Sequence, residues 1–266
     1  MQSSTLALMA ARGEVPGYPT PAGAIFADTQ DEPKSVYLWL DWLEQEIARS
    51  PFPFPVYRVT AGRLSEKALT MKTTKDGRKF SSSDIPVFCR NTDGSQGKIT
   101  SRACTSDFKI VPILRKAREL GGIKRGQKTI GVVQWIGISL DEVHRMKMAR
   151  DKWAKNEWPL VDMRMRRHDC LLWMARNGYP TPPRSSCVYC PYHSNAEWRR
   201  LRDEEPEAFA AAVKFEKDLQ INKGNMHAVP FLHRSLVPLD QVDLSTDLDR
   251  GQQSLFGEEC TGMCGV

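Results

Sequence analysis

No apolar run in the 266-residue sequence approaches membrane-spanning length; the best, Ile130 to Leu140, is broken by Gln134 and two glycines. That removes a helical membrane anchor from the expectations. The N-terminal stretch Met-Gln-Ser-Ser-Thr-Leu-Ala-Leu-Met-Ala-Ala lacks a basic region ahead of its apolar residues, so an export signal is not expected. His144, His168, His193, His227 and His233 fall in no metal-ligand spacing. Internal repeats and low-complexity tracts are also missing, which argues against a solenoid or a disordered linker. A large excess of one charge is lacking too. The net charge is +6 with acidic residues interspersed, which permits an anionic ligand or nucleic acid without demanding one.

What is present is an ordinary globular composition, 41% hydrophobic and 26% charged. Seven cysteines without an export signal point to the reducing cytoplasm, where thiols bind metals or do chemistry. Periodicity predicts helices from Ser3 to Arg12 and from Pro33 to Arg49, the latter with Val36, Leu40, Leu43 and Ile47 on one face. It also predicts helices from Arg167 to Asn177, after Ser194, and from Pro206 to Gln220. Strands are expected at 24–27, 56–59 and 129–138, and Trp158-Pro-Leu reads as extended. Ser139-Leu-Asp-Glu142 reads as a helix cap. The polar run 72–83 is a loop, either closing over a site or simply mobile, and residues 221–266 read as a draping tail. Alternation of strands and helices implies an α/β domain, with a parallel sheet and helices on both faces, over residues 1–183. A cysteine-bearing extension follows over 184–266. In such sheets, sites lie at the carboxyl ends of strands, which brings Asp28 and Thr29 to the rim.

Cys187-Val-Tyr-Cys190-Pro191 allows two thiolates to converge on a soft metal, and Ser194 with Glu197 starts a helix just beyond. The pair is half of a four-ligand site, a redox pair, or two buried cysteines in a loop. Further thiols stand at Cys104 and at Cys260 and Cys264, whereas Cys170, between apolar neighbours, reads as core packing and Cys89 has no partner in spacing. Thiolate ligands suit an iron–sulfur cluster or, less well, zinc. Arg102 and Lys109 suit phosphate or sulfate by charge-assisted hydrogen bonds, or are solvated helix charges. His193 is a cluster neighbour or a turn residue. Arg184, Arg199 and Arg200 are a phosphate grip or a solvated basic edge.

Arg102-Ala-Cys104-Thr-Ser-Asp-Phe-Lys109-Ile-Val-Pro112-Ile resembles the Arg-x-Cys-Cys-x-x-x-Lys-x-x-Pro-Leu segment of the sulfonucleotide reductases. These are the adenylylsulfate (APS) and phosphoadenylylsulfate (PAPS) reductases of the adenine-nucleotide α-hydrolase (HUP-like) superfamily. Cys187 and Cys190 fall where the second cysteine pair of that family lies. Phe256-Gly-Glu-Glu-Cys260 is similar to the family tail, whose cysteine attacks the sulfonucleotide. Ala24-Ile-Phe-Ala-Asp28-Thr29 resembles the strand ending at the adenosine pocket, and residues 2–10 the end of the phosphate loop and its helix.

The resemblance implies an oxidoreductase that binds ATP or PAPS through Ser3, Ser4, Asp28, Thr29, Arg102 and Lys109. It implies Cys260 as nucleophile, a thiol reductant such as thioredoxin as partner, and a [4Fe–4S] cluster on Cys104, Cys187 and Cys190. Two departures carry consequences. The strand and Ser-Gly-Gly loop that precede the family's serine are not found ahead of Ser3, so weak phosphate affinity is expected. Thr105 stands at the second cysteine of the motif, so the cluster either keeps an open iron or takes Cys264 as its fourth ligand. Open clusters occur in ATP-using tRNA thiolases of the superfamily. The alternatives are therefore an ATP-using sulfur or nucleotidyl transferase acting on nucleic acid, and a non-catalytic subunit of a nucleic-acid complex.

Overall fold

The computed structural model describes residues 1–77, 79–81, 85–97, 99–100, 102–222, 228–246, 249 and 251. The protein is mixed α/β. Its first elements are α1 (Gln2–Ala11), β1 (Ala24–Asp28), α2 (Lys34–Arg49), β2 (Val56–Thr60), α3 (Leu64–Leu69), β3 (Met71–Thr73), β4 (Lys79–Ser81) and β5 (Phe88–Arg90). A π-helical stretch, Thr105–Ile110, then runs into α4 (Val111–Leu120). After it come β6 (Val132–Trp135), β7 (Ala154–Glu157), α5 (Pro159–Asp162), α6 (Arg167–Arg176), α7 (Asn195–Glu204), α8 (Pro206–Ile221) and β8 (Val229–Phe231). The described strands pair two by two: β1 with β2, β3 with β4 antiparallel, β5 with β8 antiparallel, and β6 with β7 parallel. None of the described helices is long and apolar enough to cross a membrane.

The chain divides into two compact units. Unit 1 is Met1–Ala27, Ser35–Val59 and Val111–Ser185, and unit 2 is Asp28–Lys34, Thr60–Ile110 and Ser186–Val266.

In unit 1 the apolar stripe of α2 is buried, with Leu43 and Ile47 joining Leu8, Leu160, Cys170 and Met174 in one core. Trp39 and Trp42 pack ring to ring against that core, 4.6 Å between centroids, as their helical spacing implied. Gly13 and Gly178 take φ of +73° and +69° just past α1 and α6, which a side chain resists and glycine does not. Two local expectations fail here. Trp158-Pro-Leu is not extended: Pro159 opens the short helix α5, where its missing N–H costs nothing. Ser139 does not cap with its hydroxyl, because that oxygen accepts Gln2 Nε2 at 3.2 Å from α1.

Gly137, in the same loop, lies so close to α1 that a Cβ there would sit 2.7 Å from Ser3 Cα and 2.8 Å from Ser3 N. The obstruction is backbone and cannot swing away. Gly137→Ala should therefore cost about 1–3 kcal/mol in denaturant unfolding. An unchanged midpoint would contradict that packing.

In unit 2 the core gathers Phe108, Trp198, Leu201, Leu232 and Leu239 around the cysteine knuckle. Ser194 caps α7 as expected, its hydroxyl accepting Glu197 N at 3.2 Å. The supposed tail is partly ordered into this core: β8 pairs Phe231 with Phe88, and Leu239 and Leu244 are buried. A three-residue strand is too short to carry a period, so the sequence held no signal for it. Similarly, the expected loop at 72–83 contains the hairpin β3–β4, registered Met71 to Ser81.

Candidate functional site

Three stretches of unit 2 build one cavity. The first is the segment after β1, where Gln30 takes φ +59° and its N–H bonds Asp28 Oδ1 at 2.7 Å. This turn sends Thr29 and Glu32 inward together, with Thr29 Oγ1 donating to Glu32 Oε1 at 3.1 Å. Asp31 faces the other way and accepts both N and Oγ of Ser65, at 2.6 and 3.0 Å, near the start of α3. Its carbonyl accepts Val188 N at 2.8 Å, and the Thr29 carbonyl accepts Leu64 N at 3.1 Å. The segment thus ties α3 and the knuckle to a common backbone.

The second stretch is the knuckle itself. Two successive tight turns, Cys190 N to Cys187 O at 3.1 Å and His193 N to Cys190 O at 3.2 Å, fold the Cys-x-x-Cys back on itself. Ser186 Oγ and His193 Nε2 close the loop at 2.9 Å, and His193 packs edge-on against Trp198, 4.6 Å between centroids. His193 is a turn residue that holds the knuckle shut.

The third stretch is the π-helical run that follows Cys104. In an α-helix, residues five apart diverge by about 140° around the axis. A π turn bonds i to i+5 and brings them onto one side. Cys104 and Lys109 accordingly face the same cavity, while Phe108 points into the core.

The cavity is about 420 Å³, counting solvent at its mouth. Cys104, Cys187 and Cys190 line it beside Arg102, Lys109 and Thr29, with Leu64, Ile85, Pro86 and Tyr192 as apolar wall. Thiols from two distant segments and two cations, all read as site residues in the sequence, therefore share one wall. Arg102 is further steadied over the Tyr192 ring, 5.5 Å from its centroid.

The remaining sequence candidates fall elsewhere. Ser3 and Ser4 lie on α1 in unit 1, where Ser4 Oγ accepts Trp39 Nε1 at 3.3 Å. Asp28 holds the Gln30 turn. Cys260 and Cys264 lie outside the described residues. Arg199 and Arg200, candidates for gripping phosphate, are engaged internally: Arg199 with Asp249 at 2.7 Å, Arg200 with Glu197 and Glu205 at 2.9 Å each. Cys170 and Cys89 are buried in the two cores.

Glu32 was not foreseen. Its side chain is fully buried, 4.0 Å from Lys109 Nζ, and Oε2 has no hydrogen-bond partner among the described residues. Burial pushes its pKa up, and Lys109 only partly opposes that. Lys109 has the converse balance. Burial works against its charge, but Glu32 first, and then Cys187, Cys190 and Cys104, outweigh it and raise its pKa. Burial raises the pKa of Cys104 against the pull of Arg102 and Lys109. It raises that of Cys187 strongly, with Glu32 adding and Lys109 opposing. Both free thiols are thus protonated near neutrality, and a soft metal would displace those protons on binding.

The donor set can be tested against such a centre. Among the described residues no three His, Cys, Asp or Glu side chains close on a single point as one ion requires. Three thiols spread over a cavity wall, with two cations to offset thiolate charge, suit a larger soft cluster bound at its corners. By the chemistry of their donors, the residues fit a soft thiolate-bound centre rather than a hard cation. Comparison with protein-family models, with curated proteins and with solved structures finds no match for this chain.

The Glu32 environment gives a sign-definite expectation. A carboxyl whose folded pKa is raised contributes its stability below the unfolded value, and loses it as pH climbs through the folded one. Glu32→Gln has nothing to ionise. Its melting temperature relative to the parent should move upward as pH rises above the ordinary carboxylate range. A difference that stays flat, or moves the other way, would show that Glu32 ionises freely.

Proposed function

We propose that the chain is an iron–sulfur oxidoreductase of the sulfonucleotide-reductase type, built on a HUP-like α/β fold and acting on a PAPS- or APS-like sulfonucleotide. The observation that carries this reading is the meeting of Cys104, Cys187 and Cys190 with Arg102 and Lys109 on one cavity. Cys104, Cys187 and Cys190 would hold the cluster; when bound, it supplies a compact centre whose field acts on the neighbouring anion. Arg102 and Lys109 bind and orient the sulfonate or phosphate by charge-assisted hydrogen bonds. The apolar wall of Leu64, Ile85 and Pro86 sheds water from that contact, which strengthens it. Glu32 sits behind Lys109 and Thr29, clear of the cavity surface, and keeps the ammonium charged.

By the sequence resemblance, the Cys260 thiolate attacks the sulfonate sulfur, an S–S bond forms, and the S–O bond to the nucleotide phosphate breaks. A dithiol of the thioredoxin class then attacks the Cys260 sulfur, sulfite leaves, and the dithiol closes to its disulfide. Acidic neighbours Glu258 and Glu259 oppose ionisation of Cys260, so the attack needs a cation nearby. Incubation with PAPS or APS and reduced thioredoxin should release one sulfite per nucleotide product, and Cys260→Ser should abolish it with cluster absorbance intact. Loss of the absorbance in Cys260→Ser would move that residue from nucleophile to ligand.

A second reading rests on Thr105. It is buried in the cavity wall where the family's fourth thiolate would be, leaving three thiolates from the matching positions. A three-thiolate centre suits an ATP-using thiolation enzyme acting on nucleic acid, with Cys264 the competing fourth ligand. ATP hydrolysis stimulated by nucleic acid, without sulfite from PAPS, would favour it.

A further inference from the structure

Charge is distributed unevenly along the chain. Residues 111–155 contain eleven Lys and Arg against four Asp and Glu, a net +7, which exceeds the +6 of the whole protein. The rest of the chain is therefore close to neutral. All of these residues belong to unit 1, whereas the segments that form the thiol cavity belong to unit 2.

The fold concentrates this charge. Ala117 of α4, Val132 of β6 and Trp153 and Ala154 at β7 pack in one small cluster with Leu114, Ile123 and Ala149. Gly131 N and Val132 N both donate to Trp153 O, at 2.9 and 3.2 Å, and the Arg118 guanidinium lies 5.6 Å over the Trp153 ring. Asn156 Nδ2 reaches Lys147 O at 2.9 Å, which fastens the preceding loop to β7. Around this hub stand the exposed cations. Arg115 and Arg118 come from α4, and Lys124, Arg125 and Lys128 from the turn after it. Lys147, Arg150 and Lys152 come from the loop before β7. None of these eight makes an ion pair among the described residues. Three of the four local acids are engaged away from these eight: Glu119 pairs with Lys116, Glu142 with Arg145, and Asp141 accepts Arg167 N at 3.1 Å, which leaves Asp151 between Arg150 and Lys152 in the sequence. Unpaired exposed cations on elements packed about one hub repel one another, and a polyanion relieves that repulsion.

We infer that this surface of unit 1 is a docking site for the phosphodiester backbone of a nucleic acid. Half of the eight cations are arginines, whose planar fork grips phosphate oxygens two at a time. A bilayer surface fits less well. Anchoring there calls for a continuous apolar face beside the charges. The exposed apolar side chains along this stretch, Val111, Leu120, Ile130, Val133, Val143 and Met148, are scattered over the two ends of α4, β6 and the loops rather than following one element. Contact to phosphate rather than to bases implies little sequence preference and a steep dependence on salt.

The test is fluorescence anisotropy of the full chain with labelled single-stranded and duplex oligonucleotides of about 30 nucleotides, at about 50 and about 200 mM KCl. The parent should bind both and weaken by at least about tenfold at the higher salt. Lys124→Gln/Arg125→Gln/Lys128→Gln should weaken binding at least about tenfold and reduce the salt slope by about 2–3. Lys214→Gln/Lys217→Gln, on the ion-paired face of α8 in unit 2, should bind like the parent. Melting curves on each variant confirm that it is folded. No binding by the parent at about 50 mM KCl would overturn the proposal. So would parent-like binding by the triple variant, or binding confined to phosphatidylserine vesicles or to polyglutamate. The assay needs neither cluster nor sulfonucleotide, so its failure leaves the reading of the thiol cavity standing.

Discussion

Cys187→Ser, purified without oxygen, should be colourless, with its iron content below about one-tenth of the parent's. The thiol is buried on the cavity wall that Lys109 and Cys104 also line, and serine has neither the softness nor the reach to replace it. The hydroxyl would keep the fold, because Cys187 and its neighbour Val188 are held by backbone bonds to Cys190 N and Asp31 O. The melting temperature of the metal-free protein should therefore change little while loading collapses. Cys89→Ser provides the control: that thiol is buried in the same core, lies off the cavity, and should leave loading unchanged. If Cys187→Ser loads iron like the parent, the knuckle is not a ligand pair. Equal loss in Cys89→Ser would mean that general core damage, not ligand loss, empties the site.

The largest loss of stability is expected at Trp198. It is fully buried on α7, between His193 of the knuckle and Phe209 of α8. Truncation to alanine removes the whole indole from a packed interior and should cost about 3–5 kcal/mol. Its Nε1–H, however, is buried without a hydrogen-bond partner among the described residues, a cost already borne by the native state. Trp198→Phe sheds that unsatisfied donor along with the volume, and should therefore cost well under half as much as alanine. Chemical denaturation followed by a probe in unit 2 measures both. Equal costs for the two variants would show that the indole N–H is satisfied in solution. A cost under about 1 kcal/mol for alanine would contradict the packing of this core.

Much of this was legible because the relevant signals are local. The α2 stripe, the Ser194 cap and the glycines after α1 and α6 each need only a few residues to read. The thiols and cations of the cavity were legible because cysteine and paired cations stand out against a neutral background. What escaped depends on distance or on count. Glu32 sits in a polar run, Asp28 to Lys34, where nothing in the sequence separates a buried carboxylate from Asp31 or from an exposed one. The pairing of Phe88 with Phe231 joins two three-residue strands from opposite ends of unit 2, too short for alternation to show. The π turn depends on one extra residue per turn, which no pattern of residue types before α4 records, so the aim of Lys109 could not be read.

The proposed docking surface escaped for a related reason. Its cations arrive from a helix, a turn and a loop, and only the fold about Trp153 makes them neighbours. Arg199 and Arg200 left a phosphate grip and a basic edge open in the sequence, because two of their acidic partners, Asp249 and Glu205, lie beyond the stretch 184–200.

The most direct test of the central claim is the iron and acid-labile sulfide content of the full chain purified anaerobically, read with its absorption spectrum. A thiol cavity that holds a [4Fe–4S] cluster gives a brown protein, approaching about four irons and about four sulfides per chain, which bleaches in air. A colourless protein carrying stoichiometric zinc, or no metal at all, would contradict it.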